Sequence, residues 1–481
     1  MLAERIHSYA NILILNRCVN AHQLHNGSLN FSIKILKVLL IWPKARTDPD
    51  WGGDLGAIAE PLALEYLAAG LLEEDHTVKI LDLRLHPDEL DGTLLSFDPD
   101  IVGVTAFSMH VLAALSIFTK VKELNKECLT IAGGHHATLL PEDFFEPQVD
   151  LVVSGEGVTP LKEIVKARRN NLSFEGIKGV WCRVNSVFVS GGEQSIISVD
   201  HLPFPNRTIV GADRQQYFID WMHPVALLRT SVGCPYRCTF CSLWKIMDGK
   251  YHKRSIDRVI EEIKIIKEEY VFLVDDEAFI DSKRMEYMAD EFKNQGIYKK
   301  FFAYCRIDTI VRSKEILSKW KEVGLERLFV GIDAISEKDL KEYNKHQTFV
   351  QIEQGLKIAA ELGIEILAQF VINTDYSHND FKYLIRFVEH FRLDYPTFTI
   401  LTPLPGTSLL ANDFSNVSVK QPNGRPDWNF FDTQNAVTST KLPADEFRRQ
   451  YRDLYKVFGS SYSKFLIHKP LSTHKPKPVS I

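Results

Sequence analysis

Short apolar runs alternate with longer stretches of helical periodicity along most of this 481-residue chain. Ile35 to Pro43 is an apolar run closed by a proline and reads as a buried strand. Pro61 then opens a helical pattern through Leu62, Leu64, Leu67, Ala68, Leu71 and Leu72, with the proline suited to a first turn. Val78–Asp82, Asp100–Thr105, Leu129–Gly134 and Leu151–Gly155 read as further strands, and Val111–Leu124 as a second long helix. Strands that alternate with helices predict a doubly wound parallel sheet covered on both faces, here over residues 35–169.

Such sheets bind ligands beyond the carboxyl ends of their strands. The small and polar residues expected there are Thr105 and Ser108, then Gly133, Gly134, His135, His136 and Thr138, then Gly155, Glu156 and Gly157. Any one of these loops is equally readable as a tight turn, but three at one sheet edge favour a ligand crevice. No Gly-x-Gly-x-x-Gly follows the first strand, which disfavours a dinucleotide. Residues 170–223 read as a linker laid over the surface between two domains, with a small hairpin, Val180–Val184 and Val187–Val189, around Asn185-Ser186.

The strand–helix alternation resumes at Val225–Thr230 and continues through Tyr270–Glu277, Phe301–Arg306, Arg327–Asp333 and Glu365–Ile372, with helices such as Ile352–Leu362 between. This predicts a partial or full parallel barrel over 224–410, whose working residues sit at strand C-termini. Asp275, Asp276, Glu277, Arg306 and Asp333 occupy such ends, where acids also serve simply as helix caps. Phe301, Phe302 and Tyr304 suit an apolar pocket near the mouth or, more simply, core packing. Residues 411–481 read as a small helical region with a disordered tail from Lys469. Within it Phe447, Tyr451, Leu454, Tyr455 and Phe458 form one stripe, suited to covering the barrel mouth or admitting a lipid. Residues 1–34 read as an N-terminal extension without a signal pattern.

Charge narrows the partners. A net charge of −5 gives no electrostatic case for nucleic acid. The tail's few lysines leave a peripheral membrane contact open, with a solvated tail the stronger reading. No segment reads as a membrane span; the most apolar run carries Lys34 and Lys37 and is too short. The seven cysteines are odd in number and three are clustered, which fits a reducing, cytoplasmic setting rather than a disulfide framework.

The cluster is Cys234-x3-Cys238-x2-Cys241, on a loop after the Val225–Thr230 strand. Closely spaced thiols suit a soft metal or an iron–sulfur centre. No fourth cysteine is near; Cys305 lies on another strand. Three thiolates on a four-iron cluster leave one iron open, the mark of a reactive site. Zinc is the alternative, with His223 or His252 as the fourth ligand, but no second cysteine pair accompanies it.

The spacing, with Gly233-Cys234-Pro235 before it and Phe240 before the third cysteine, resembles the signature of the radical S-adenosylmethionine (SAM) superfamily. The resemblance implies a [4Fe-4S] cluster on Cys234, Cys238 and Cys241 as the catalytic centre. It further implies SAM chelated to the open iron, and SAM contacts from Phe240, Asp275, Asp276, Glu277, Arg306 and Asp333. Thr402-Pro403-Leu404-Pro405-Gly406-Thr407 resembles the last barrel turn of that family.

The domain before the cysteines is similar to the cobalamin-binding domain of class B radical SAM methylases. That likeness implies cobalamin contacts from Thr105, Ser108, Gly133, Gly134, His135, Thr138, Gly155 and Glu156. Departures are the absence of Asp-x-His-x-x-Gly, Val158 in place of a second glutamate, and Asn373-Thr374-Asp375-Tyr376 where a glycine-proline turn is usual. Within the family, Tyr217–Trp221, Cys241–Gly249 and Phe272–Phe279 resemble the hopanoid C-3 methylase group.

The implied activity is methylation of an unactivated carbon, on a hopanoid or similar lipid, through a 5′-deoxyadenosyl radical and methylcobalamin. An electron donor such as flavodoxin or ferredoxin is implied with it. The competing readings are another reaction on the same architecture (cyclisation, oxidation or methylation of a different metabolite) and a non-enzymatic iron–sulfur or zinc protein.

Overall fold

The apolar runs become strands because each is buried on both faces, and the amphipathic stretches between them become the covering helices. The computed structural model describes residues 34–46, 57–194 and 199–459. The first domain carries β1 (Lys37–Trp42), β2 (Thr77–Asp82), β3 (Ile101–Thr105), β4 (Leu129–Gly133) and β5 (Leu151–Val153), all parallel. Two antiparallel strands, β6 (Val180–Val184) and β7 (Val187–Ser190), complete a seven-stranded sheet in the order β2-β1-β3-β4-β5-β6-β7. The hairpin expected in the linker is therefore part of this sheet. Val180, Trp181 and Cys182 pair with β5, a long-range register that local turn chemistry does not reveal.

The second domain carries β8 (Val225–Leu228), β9 (Tyr270–Leu273), β10 (Lys300–Arg306), β11 (Leu325–Asp333), β12 (Glu365–Ile372) and β13 (Tyr395–Ile400). They form a parallel six-stranded sheet in strict sequence order, a partial barrel whose end strands do not pair with each other. The helix Ala444–Phe458 lies on the β13 edge. Phe447, Tyr451 and Leu454 are buried, and the Tyr451 and Tyr455 hydroxyls donate to the Phe398 carbonyl at 2.8 and 2.6 Å. It thus covers a sheet edge that would otherwise stand open, and not the barrel mouth as its stripe suggested. Between Ile400 and this helix the chain is mostly irregular rather than helical. Val417, Trp428, Phe431 and Val437 there pack into the core of the first domain.

Two further contacts join the domains. Leu62, Tyr66 and Val158 of the first pack with Val225, Leu227, Phe272 and Phe302 of the second in one apolar cluster. Beside it, Glu60 pairs with Arg214 and Arg207, and Arg207 reaches Glu262 at 2.7 Å. The expected N-terminal extension, apart from its last residue, and the tail from Lys469 lie outside the described residues. No described helix is long and apolar enough to cross a membrane.

Candidate functional site

The cysteine loop is anchored where β8 ends. Thr230 and Ser231 donate their amides to Asp275 Oδ1 at 2.6 and 2.9 Å, and their hydroxyls bond its other oxygen. The short strand Ser231–Val232 pairs antiparallel with His252–Lys253 and closes the loop at its base. Gly233 has φ +90°, and a Cβ there would strike the Lys250 carbonyl oxygen, so only glycine closes this turn.

Burial pushes the Cys234 thiol up to about 12 and the Cys241 thiol to about 11, against the amides of Tyr236 and Leu243, which bond the two sulfurs. Such thiols ionise when a cation takes them, and amide donors at sulfur suit the thiolate form. Cys238 is buried, with the Arg306 guanidinium 3.9 Å from its Sγ. Among the described residues, no three His, Cys, Asp or Glu side chains converge as a single ion requires, with or without His223 or His252. A four-iron cluster makes a different demand, since each thiolate meets its own iron, and three thiols on one loop with amide donors fit it. Cys305 is buried in the barrel core, its Sγ on the Arg306 carbonyl at 3.4 Å, and is no fourth ligand.

A cavity of about 1300 Å³ opens between the flanks of this loop, at Ser231, Val232 and Leu243, and the carboxyl edge of the first sheet; the three cysteines are not among its lining residues. On the sheet side it is lined by Thr105, Gly133, Gly134, His135, Thr138, Gly155 and Glu156. Thr138 ties two of these loops together, donating to the Gly134 carbonyl at 2.9 Å and accepting from the Gly155 amide at 3.0 Å. Gly134 has φ +98°, and a Cβ there would lie 2.7 Å from the Ala106 nitrogen and from Thr105 Oγ1.

His135 stands edge-on to Phe107, ring centroids 4.5 Å apart, and is held neutral, near 4, by burial and then by Arg229. The Glu156 carboxylate accepts from the amides of Val158 and Thr159 at the start of helix Val158–Arg169. Its side chain is thus a helix cap.

Ser108 does not line the cavity. Its Oγ bonds His136 Nδ1 at 3.0 Å, and His136 Nε2 bonds Asp143 at 2.8 Å. Asp143 pairs with Arg425, and the His136 ring stands 4.7 Å from Trp428. This buried chain supports the His135 turn from below. The floor of glycines, with Leu40, Leu64, Leu67 and Ile131 behind it, fits a large flat cofactor. The volume exceeds the ~300–1,000 Å³ of ordinary ligand pockets.

On the barrel side the three consecutive acids part company. Asp275 is fully spent on Thr230 and Ser231. Glu277 faces the other way as well, accepting from the Arg306 amide at 3.3 Å, and burial pushes its carboxyl to about 7. Asp276 alone faces the cavity, with Oδ2 on the Gly233 amide at 2.9 Å. Burial raises its pKa and Arg229 lowers it.

Arg306, expected at SAM, lies over the Tyr236 ring at 3.8 Å and bonds Asp308 and the Lys345 carbonyl, behind Cys238. Asp333, at φ +64°, pairs with the buried Lys345. Phe240 packs edge-on against Tyr343 at 5.4 Å. Phe302 and Tyr304 pack in the interdomain cluster, and Phe301 in the barrel core, so none of the three lines the cavity. Sequence reasoning passed over Arg229, whose only signal is a charge ending an apolar strand. It also passed over Lys345, Arg425 and Trp428, which only the fold brings to the site.

Residues 228–388 match the radical SAM superfamily and residues 51–165 the B12 binding domain. The chain is 29% identical over 423 residues to the hopanoid C-3 methylase of Methylococcus capsulatus, covering 85% of this chain and 77% of that one. It is 29% identical over 438 residues to an uncharacterized methyltransferase of Pyrococcus horikoshii, covering 89% and 93%. Its fold is similar to that of the radical SAM methyltransferase TsrM from Kitasatospora setae, solved with tryptophan substrate and a SAM analogue. That likeness has a TM-score of 0.66 at 17% identity and covers 87% of this chain and 88% of that one.

Proposed function

From a chain that belongs to the cobalamin-binding radical SAM methyltransferases, we infer that the interdomain cavity is the chamber where an unactivated carbon is methylated. The observation that carries this is continuity: one cavity touches both the glycine edge of the first sheet and the base of the cysteine loop. When bound, the cluster with SAM supplies a radical able to take a hydrogen atom from carbon, and cobalamin supplies a methyl group.

The chain's own residues position and shield. Cys234, Cys238 and Cys241 hold the cluster. Asp276, at the base of that loop, receives the SAM ammonium, a task Asp275 and Glu277 have no free oxygen facing the cavity to perform. Gly133, Gly134 and Gly155 would leave backbone free to hold a corrin, and His135 would meet it as a neutral ring. Phe240 and the Asp333–Lys345 pair stand behind the loop as supports.

The substrate is a hopanoid or a lipid of similar skeleton. The relative from Methylococcus capsulatus supports this, as do the apolar side chains of Val199, Leu202, Leu243, Ile246, Met247 and Val274 that line the cavity. The reductant is a small electron carrier of the flavodoxin or ferredoxin kind. The test is expression in a hopanoid-making host with mass spectrometry of its lipids: a new methylated hopanoid is expected, and an unchanged profile removes this substrate. Reconstituted protein under reduction forms 5′-deoxyadenosine from SAM; none formed would remove the radical chemistry altogether.

A further inference from the structure

The arginines buried within this fold each meet charged or carbonyl partners, though not at every nitrogen. Arg207 meets Glu60, Glu262 and the Leu227 carbonyl, Arg254 meets Glu262, Arg284 meets Thr230 and the Arg254 carbonyl, and Arg306 meets Asp308 and the Lys345 carbonyl. Arg229 differs. It follows the last residue of β8, lines the cavity, and is only partly exposed. Its guanidinium has no hydrogen-bond or ion-pair partner among the described residues. The Tyr66 ring stands 6.0 Å from its guanidinium carbon.

The backbone around it is fixed. Its carbonyl accepts from Arg254 Nη1 at 2.7 Å, and the next amide is held by Asp275 at 2.6 Å. The guanidinium is therefore presented to the cavity from a rigid strand end. Its charge acts on His135 from the first domain and on Asp276 from the second, so it stands between the two walls. The other charged lining residues do not compete. Glu193, Lys245, Asp248 and Lys250 are exposed to solvent, and Glu156 is spent on a helix start.

A planar fork of donors in a partly dry cavity is matched by a carboxylate or a phosphate, which accepts two parallel hydrogen bonds. We propose that Arg229 is the anion receptor of the cavity, binding a carboxylate or phosphate group of the molecule that lies between the two domains. The proposal rests on the reading of the cavity as the reaction chamber. Two sources carry this chemistry. One is the methionine carboxylate of SAM, whose ammonium would then face Asp276 one strand away. The other is an acid group on the substrate, which would make the substrate an apolar body with an anionic head. A neutral hydrocarbon skeleton leaves Arg229 to SAM.

The test uses the full-length protein with its cluster reconstituted, and labels arginines with phenylglyoxal, read residue by residue by peptide mass spectrometry. Arg229 is expected to label readily in the free protein and to be protected by inorganic phosphate. Protection by SAM as well assigns the site to the SAM carboxylate; protection by phosphate but not by SAM assigns it to the substrate. Equal labelling of Arg229 with and without both probes, or no labelling at all, overturns the proposal.

As a second variable, R229Q should weaken binding of the protecting probe by about tenfold or more, the loss of a charge-assisted pair, and R229K should recover part of it. Unchanged affinity in R229Q also overturns it. Formation of 5′-deoxyadenosine by the wild type is read separately. Its absence defeats the enzymatic reading, whereas its presence with unprotected Arg229 defeats only the anion site.

Discussion

Asp276 Oδ2 accepts the Gly233 amide at 2.9 Å, so the one acid of its triplet that faces the cavity also holds the residue before the first cluster cysteine. Substrate-side charge and cluster-side backbone are thereby one unit. Asp276→Asn keeps the shape and the amide acceptor but removes the charge. SAM binding, measured by equilibrium dialysis, should weaken by about tenfold with cluster iron retained. Because burial raises this carboxyl above its ordinary range, wild-type affinity for SAM should fall as pH drops through that raised range, and the Asn variant should show no such fall.

Cys238→Ala removes the most buried of the three thiols. Iron content after anaerobic reconstitution and the visible absorbance of the cluster should both collapse. Cys305→Ala, altering a buried core thiol, should leave both in place. Iron retained in the first variant would refute the assignment of the ligands.

Glu277 gives a stability signature. Its carboxyl is pushed from 4.5 to about 7 by burial, so the protonated form is the one that folding favours. The stabilisation is complete below the unfolded value and is lost as pH rises through the folded one. The shift corresponds to about 3 kcal/mol. Urea unfolding of the cluster-free protein should show wild type losing stability against Glu277→Gln between those two pH values, with no further divergence above them.

Ser108 and His135 separate support from contact. Ser108→Ala removes one hydrogen bond to His136 and should cost about 1 kcal/mol with cobalamin binding unchanged. His136→Ala breaks the chain to Asp143 and leaves a buried gap, costing about 2–4 kcal/mol in denaturant unfolding. His135→Ala should do the reverse, lowering cobalamin retention on gel filtration with little loss of stability.

The parallel strands up to β12 were legible because each is an apolar run that needs no partner to be recognised, and the cysteine spacing carried its own chemistry; β13, Tyr-Pro-Thr-Phe-Thr-Ile, alternates polar and apolar residues and was not read as a strand. The three acids after β9 were not separable in advance. An extended chain turns consecutive side chains to opposite sides, and which side is the cavity depends on the neighbouring strand. For the same reason Asp275 and Glu277 share the inner face and Asp276 stands alone. Ser108 looked like a strand-end ligand, yet its partner is a histidine 28 residues on. The hairpin Val180–Ser190 looked like linker because its pairing with β5 is set by the whole sheet. Arg306 lay at the expected strand end, but Tyr236 and Asp308 draw its side chain behind the cluster loop.

The segment carrying Arg425 and Trp428 has a bearing on how the protein is made. Asp143 and Arg425 are 282 positions apart, and Trp428 fills the core beneath the His135 turn. The domain that leaves the ribosome first is thus denied its last packing partners until nearly the whole chain has been synthesised. Contacts of such separation form late. The His135 turn is therefore expected to gain this support only after the cysteine loop has been synthesised, so that the two halves of the proposed chamber would mature together rather than in the order they are encoded.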